Sequence, residues 1–213
     1  MKPSLNFLRP LLLLAVLGSL SGCLKSLLPK GADRAVYSLP EPAKLSAQRA
    51  LPGALLVETP QAMAPLDGED IVVRHTDGEI QLLPGVRWAA PLPELLQDLI
   101  ARQIGTAGGA TDVSQSAQPF AMRYRLSSDL RAFEIRDTNG AFSVHSEISL
   151  RLICSYDARV LATSMPIVVD ASTVPANPTA ATAALRDAAG ILARQVMFWL
   201  SKVDASSCSD GSD

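Results

Sequence analysis

Histidine is almost missing from this 213-residue chain, which has only His75 and His145. A metal held by two or three imidazoles or thiolates therefore lacks a ligand set, and Cys23, Cys154 and Cys208 show no paired metal-binding spacing. Clustered positive charge is missing too. The chain has 19 Lys+Arg against 21 Asp+Glu, and removing Lys2 and Arg9 of the N-terminal stretch leaves 17 against 21, a balance of −4. Such mild acidity argues against a nucleic-acid partner, which requires a basic face, and against purely electrostatic adhesion to anionic lipid. The apolar run that begins after Arg9 is shorter than the ~20 residues that span a bilayer.

What is present at the N-terminus is an export address. Lys2 and Arg9 precede an almost wholly aliphatic run over residues 11–20, with no acid among them. A plain secretory signal ends in a small-residue cleavage site; here Ser21-Gly22 leads straight into a cysteine. Leu20-Ser21-Gly22-Cys23 resembles the lipobox of bacterial lipoproteins. That resemblance implies that residues 1–22 are a signal peptide, that the Cys23 thiol is diacylated, that the chain is cut before Cys23 and that the new amine is acylated. Each buried methylene contributes ~0.8 kcal/mol and one acyl chain binds only marginally, so three chains would hold the protein at a membrane permanently. In this class an aspartate after the cysteine favours the inner membrane. Leu24 therefore implies the outer membrane, on its periplasmic face.

Residues 23–34 read as the lipidated N-terminus and a tether, basic at Lys25, Lys30 and Arg34 and interrupted by Pro29 and Gly31. Residues 35–203 have the size of one packed domain; the signal inflates the whole chain's 48% hydrophobic content and mean hydropathy of +0.20, and the remainder still has ample aliphatic residues for a core. Short strands are expected at residues 35–39 and 54–58. An antiparallel pair at residues 71–74 and 80–83 flanks Asp77-Gly78, whose backbone takes the positive φ of a tight turn. Pro91-Leu92-Pro93 opens a helix with Leu95, Leu96, Leu99, Ile100 and Ile104 inward, Gln97, Asp98, Arg102 and Gln103 on the other side, and flexible glycines from Gly105 to Gly109 ending it.

The strongest strand pattern runs over residues 122–130, with Met122, Tyr124, Leu126 and Leu130 on one side. The apolar phase then shifts to Phe133 and Ile135, as at a bulge. After Asn139-Gly140 the return arm places Phe142, Val144, Ile148, Leu150, Leu152, Cys154 and Tyr156 inward, and Ser143, His145, Glu147, Ser149 and Arg151 outward. Residues 160–169 complete a meander. Asn177-Pro178 starts a long helix carrying Ala181, Leu185, Ala188, Leu192, Val196 and Trp199 at helical spacing. Residues 204–213 have no apolar periodicity and read as a disordered tail. The expected architecture is α+β, a mostly antiparallel sheet with two main helices packed on one face.

Candidate chemistry is sparse. His75 borders the Asp77-Gly78 turn and His145 faces outward, so both read as surface side chains. Asp67, Glu69 and Asp70 read as a solvated acidic turn, with a weak cation site as the alternative. The glycines after the first helix do not join a strand to a helix N-terminus and so lack the context of a phosphate loop. Pairing of Cys154 with Cys208 is chemically allowed in an oxidising compartment, and burial of Cys154 as a free thiol is the alternative. Trp88 and Trp199 read as core anchors. No catalytic, cofactor-binding or metal residues are assigned; Cys23 is the one site residue, for lipidation.

In order, the chain presents the lipobox, Tyr37-Ser38-Leu39-Pro40, Val57 with Pro60, Asp67, the strand at residues 71–74, Arg87-Trp88-Ala89 with Pro91 and Leu95-Leu96, the strand from Tyr124 to Phe133, and Phe198-Trp199-Leu200. This series resembles the ABC-type transport auxiliary lipoproteins, the family of the paraquat-inducible lipoprotein C. The resemblance implies a non-enzymatic docking subunit in intermembrane lipid transport, without a cofactor of its own. Its partners would be an inner-membrane ABC permease and ATPase and a periplasmic protein of the mammalian-cell-entry type, with a homo-oligomeric ring as a further implication. The rival readings are a monomeric periplasmic lipid- or ligand-binding lipoprotein and an outer-membrane assembly factor.

Overall fold

Two long strands with a bulge between them organise the domain. The structure is a computed structural model that describes residues 34–116 and 122–209. Strand β7 (Tyr124–Thr138) turns through Asn139-Gly140, both at positive φ, into antiparallel β8 (Ala141–Cys154). The register shifts between Leu130 and Ala132. That extra residue moves the apolar set from Leu126 and Leu130 to Phe133 and Ile135, so that one face stays buried along the whole strand.

Each long strand is flanked by two short strands placed end to end. Along β8 lie β9 (Val160–Thr163) and β10 (Ile167–Val174), both antiparallel to it. The expected single strand over residues 160–169 is thus two, divided at Ser164 and Pro166. The Ser164 oxygen accepts from the Leu150 amide there, and Pro166 has no N–H to continue the ladder. Along β7 lie β2 (Leu51–Val57) and β3 (Val72–His75), both parallel to it. β4 (Ile80–Leu82) closes the predicted hairpin on β3, and β6 (Ala110–Ser114) pairs parallel with β2. A separate parallel pair joins β1 (Ala35–Tyr37) to β5 (Val86–Trp88).

Helices α1 (Leu92–Thr106) and α2 (Pro178–Leu200) cover one face of the sheet. Asn177 caps α2, its side-chain oxygen accepting from the Ala180 amide at 2.8 Å, with Pro178 in the first turn as predicted. Leu185, Leu192 and Val196 of α2 meet Val144, Ile148 and Leu150 of β8 in one core, all fully buried. Trp88 packs against Phe133 at a centroid distance of 6.0 Å.

Several expectations are corrected. Gln97 and Gln103 of α1 are buried: Gln97 donates to the Val57 and Gln115 carbonyls, and Gln103 brackets both backbone groups of Ala43. Buried amides survive because their polar atoms are paired. The first helix runs through Gly105 to Thr106. Gly108, at φ +68°, ends it with the Gly109 amide bonded back to Ile104. Gly109 is not a loose hinge, because a Cβ there would lie 2.8 Å from the Met197 sulfur of α2. On β8, Tyr156 lies past the strand end and is 45% exposed instead of inward.

Candidate functional site

Cys23, with the rest of the lipobox, lies outside the described residues, so the site is sought on the domain's own surfaces. The predicted chemical groups are used in structural pairing. Glu69 pairs with Arg87 and Asp70 with Arg34, fastening the acidic turn to β5 and to the start of the domain. Among the described residues no cluster of three metal-binding side chains forms.

His145 is buried, not on the surface, because its strand is interior to the sheet and its neighbours cover it. Its Nδ1 is 2.6 Å from Asp170 Oδ1 on β10, with Glu147 at 3.9 Å from Nε2. His75 is partly covered and its Nδ1 is 3.0 Å from Asp137. A nucleophile beside such a base would make a hydrolytic site. Ser146, however, alternates to the opposite face from His145, and its hydroxyl is given to the Val169 carbonyl at 3.4 Å.

The sheet face away from the helices closes its charges on itself. Glu134 is 1% exposed and accepts from Arg74 Nε at 2.8 and 2.9 Å, with Arg136 at 3.5 Å. The hydrogen bond to Glu134 holds the Arg74 pKa above its ordinary value, against the lowering effect of burial. Arg125 pairs with Glu58, and Arg131, at the bulge, with Asp129. Arg151 on this face has no ion pair among the described residues.

The outer surface of the helix layer differs. Residues 38–50 run across it: Arg186 donates to the Ser38 carbonyl at 2.7 Å, and Pro40 packs beside Gly190. Beyond that crossing, Ile191, Arg194 and Phe198 follow at spacings of three and four, which aligns them on one side of α2, and Lys202 follows two residues past the helix end. Phe198 is 52% exposed, with the Lys202 ammonium 3.7 Å from its ring centroid. Arg194 and Lys44 have no hydrogen-bond or ion-pair partner among the described residues. Trp199 is only partly buried, unlike the core anchor Trp88.

The C-terminal segment overturns the expected disorder for residues 204–209. Cys208 is bonded to Cys154 of β8, with a Cα–Cα distance of 5.5 Å, and both are fully buried. Arg123 crosses over Gly53, where a Cβ would meet its side chain at 2.7 Å, and donates to the Cys208 carbonyl. Arg159 donates to the Ser207 carbonyl. Tyr124 lies beneath this clasp, and burial raises the pKa of its phenol. No periodicity signals such a segment; only the second cysteine does.

Cavities are modest. A wholly apolar one of 230 Å³ opens between Leu83, Ile135, Phe142 and the start of α2. Three others measure 260, 370 and 270 Å³. Among the described residues no helix is long and apolar enough to cross a membrane.

The domain is α+β, with both histidines and several of its acids in contacts within the sheet and its loops. The chain belongs to the family described as the ABC-type transport auxiliary lipoprotein component, which matches residues 37–197. A protein from Xanthomonas campestris of the DUF330 family is similar in structure, at 26% identity and TM-score 0.70 over 78% of this chain and 95% of that one. The crystal structure of a second, uncharacterized protein is 17% identical at TM-score 0.58, covering 77% and 96% of the two chains. A PelC chain from Paraburkholderia phytofirmans, solved as a dodecamer, is 14% identical at TM-score 0.35 over 73% and 92%, too distant to argue from. No curated protein matches the sequence.

Proposed function

We propose that this transport auxiliary lipoprotein is a non-catalytic docking subunit, anchored through Cys23 at the periplasmic face of the outer membrane. In this reading it serves an ABC transport system that moves lipid between membranes. The observation that carries the reading is the family match over residues 37–197 on a domain whose histidines face carboxylates, with no nucleophile paired to His145 among the described residues. ATP hydrolysis would belong to the permease-bound ATPase, and a periplasmic mammalian-cell-entry protein would be the contact this domain presents itself to. Self-association into a ring would use the exposed sheet edges. Val160, Met165 and Val168 are exposed along β9 and β10, and Ile80 and Leu82 on β4 at the opposite edge. A contact between unlike edges is heterologous, the kind that generates rings when its rotation closes.

Among the described residues the wholly apolar cavity is small for a lipid. Pockets for small ligands span roughly 300–1,000 Å³; this one, at 230 Å³, falls below that range, and the 370 Å³ cavity is lined by polar groups such as Arg102, Thr106, Thr111 and Asp112. Purification of the full chain from native membranes tests the reading. The mammalian-cell-entry protein and the ABC subunits should co-elute, and the purified domain should hold no stoichiometric lipid. One tightly bound lipid per chain with no such partner would replace the docking role with cargo carriage.

A further inference from the structure

We infer that the stripe formed by the partly buried Ile191 and the exposed Arg194 and Phe198 of α2, with Lys202 two residues past the helix end, is a surface that rests on anionic phospholipid headgroups. This inference rests on the membrane-anchored reading above and adds an orientation to it. The net charge of the chain is negative, so the distribution of charge carries the argument, not the total. Cations elsewhere on the domain mostly meet carboxylates: Arg34, Arg74, Arg87, Arg102, Arg125 and Arg159 all do. On the stripe Arg194 and Lys202 meet none. Of the nearby acids, Glu41 is held by Arg102 and Asp204 by the Ser206 amide with Arg49 close by, whereas the exposed Asp187, one turn before Ile191, meets no cation among the described residues and ends the stripe on the side away from Lys202.

Unmatched cations around an exposed aromatic suit a headgroup layer, where a ring takes the apolar boundary and cations take the phosphates. Phe198 is 52% exposed. Lys202 stacked on Phe198 leaves its ammonium free to meet an anion. Each Lys or Arg near an anionic surface is worth about a fivefold gain in binding, so reversing two of them costs about 25-fold or more.

The full, lipidated chain can be placed in nanodiscs of brominated phosphatidylcholine, with or without brominated phosphatidylglycerol. Trp199, next to Phe198, reports quenching, while Trp88 is enclosed in the core. Retention on phosphatidylcholine discs reports the Cys23 anchor alone; loss of retention there would contradict the anchor and not the stripe. Quenching should rise on adding phosphatidylglycerol, fall with salt, and vanish in the Arg194→Glu, Lys202→Glu double variant and in Phe198→Ser. Equal quenching in both lipids, or quenching that persists in the variants, would overturn the assignment; a protein partner for this face would give that result.

Discussion

On the uncovered side of the sheet, charge is local and closed, whereas on the outside of the helix layer it is left open. Glu134 lies buried between Arg74 and Arg136, and His145 lies against Asp170. These pairs knit β3, β7, β8 and β10 together across the strands. Arg194 of α2 and Lys202 just past its end bracket the exposed Phe198 and meet no carboxylate among the described residues. The contrast separates two uses of the same residue types: one side maintains the fold, and the other is available for contact. Substitutions should therefore dissociate, with stability lost on the first side and contact on the second.

The largest effect should come at the seam that joins the two sides. Cys154 ends β8 and Cys208 follows α2, so their bond ties the helix layer to the sheet across 54 residues of sequence. Replacing both by alanine is expected to cost about 4 kcal/mol by the loop-entropy account, read as a fall in denaturation midpoint; an unchanged midpoint would mean that the clasp adds nothing. Next in size is Arg74→Ala, which leaves the buried Glu134 carboxylate with only Arg136 at 3.5 Å. A loss of about 2 kcal/mol follows from stranding a buried charge with one poor partner, with membrane contact unaffected. Phe198→Ser should change stability by less than about 0.5 kcal/mol, as exposed substitutions do. A large destabilisation there would end the distinction between the two sides.

The smallest effect is acid sensitivity at the clasp. The Asp204 and Asp157 carboxylates are held below their ordinary pKa, chiefly by the backbone amides of Ser206 and Arg159. A depressed carboxylate gives stability that is complete above its unfolded value, about 3.9, and is lost as pH falls through the lower folded value. Amide protection over residues 157–159 and 204–206, measured relative to the intrinsic exchange rate at each pH, should fall only below about pH 3.9; a fall already at about pH 5–6 would point to another group.

Much of the fold is legible in the sequence because its long elements carry long patterns. The β7–β8 hairpin announces itself through alternation, a phase shift and Asn139-Gly140, and α2 through Asn177-Pro178 and its helical apolar spacing. What escapes is short or set by tertiary contacts. β5 and β6 have three and five residues, too few for a period, and exist because β1 and β2 offer backbone partners. Gln97 and Gln103 read as polar and therefore outward, since sequence cannot show that backbone groups wait for them in the interior. His145 alternates correctly yet is covered, because alternation assigns a face and not its exposure. The clasp at Cys208 was hidden in a polar stretch whose order comes from one covalent bond and two arginines.

The stripe on α2 shows the same limit from the other direction. Its apolar side is readable from spacing, but that Arg194 and Lys202 lack acids depends on where residues 38–50 pass. A total charge of the chain averages that pattern away.

All of these contacts act from a position that Cys23 is proposed to set. Intact mass spectrometry of the mature protein extracted from its native membrane tests this most directly. The account predicts a chain that begins at Cys23 and carries acyl groups on its thiol and amine. A mature chain with an unmodified Cys23, or one that retains residues 1–22, would contradict it.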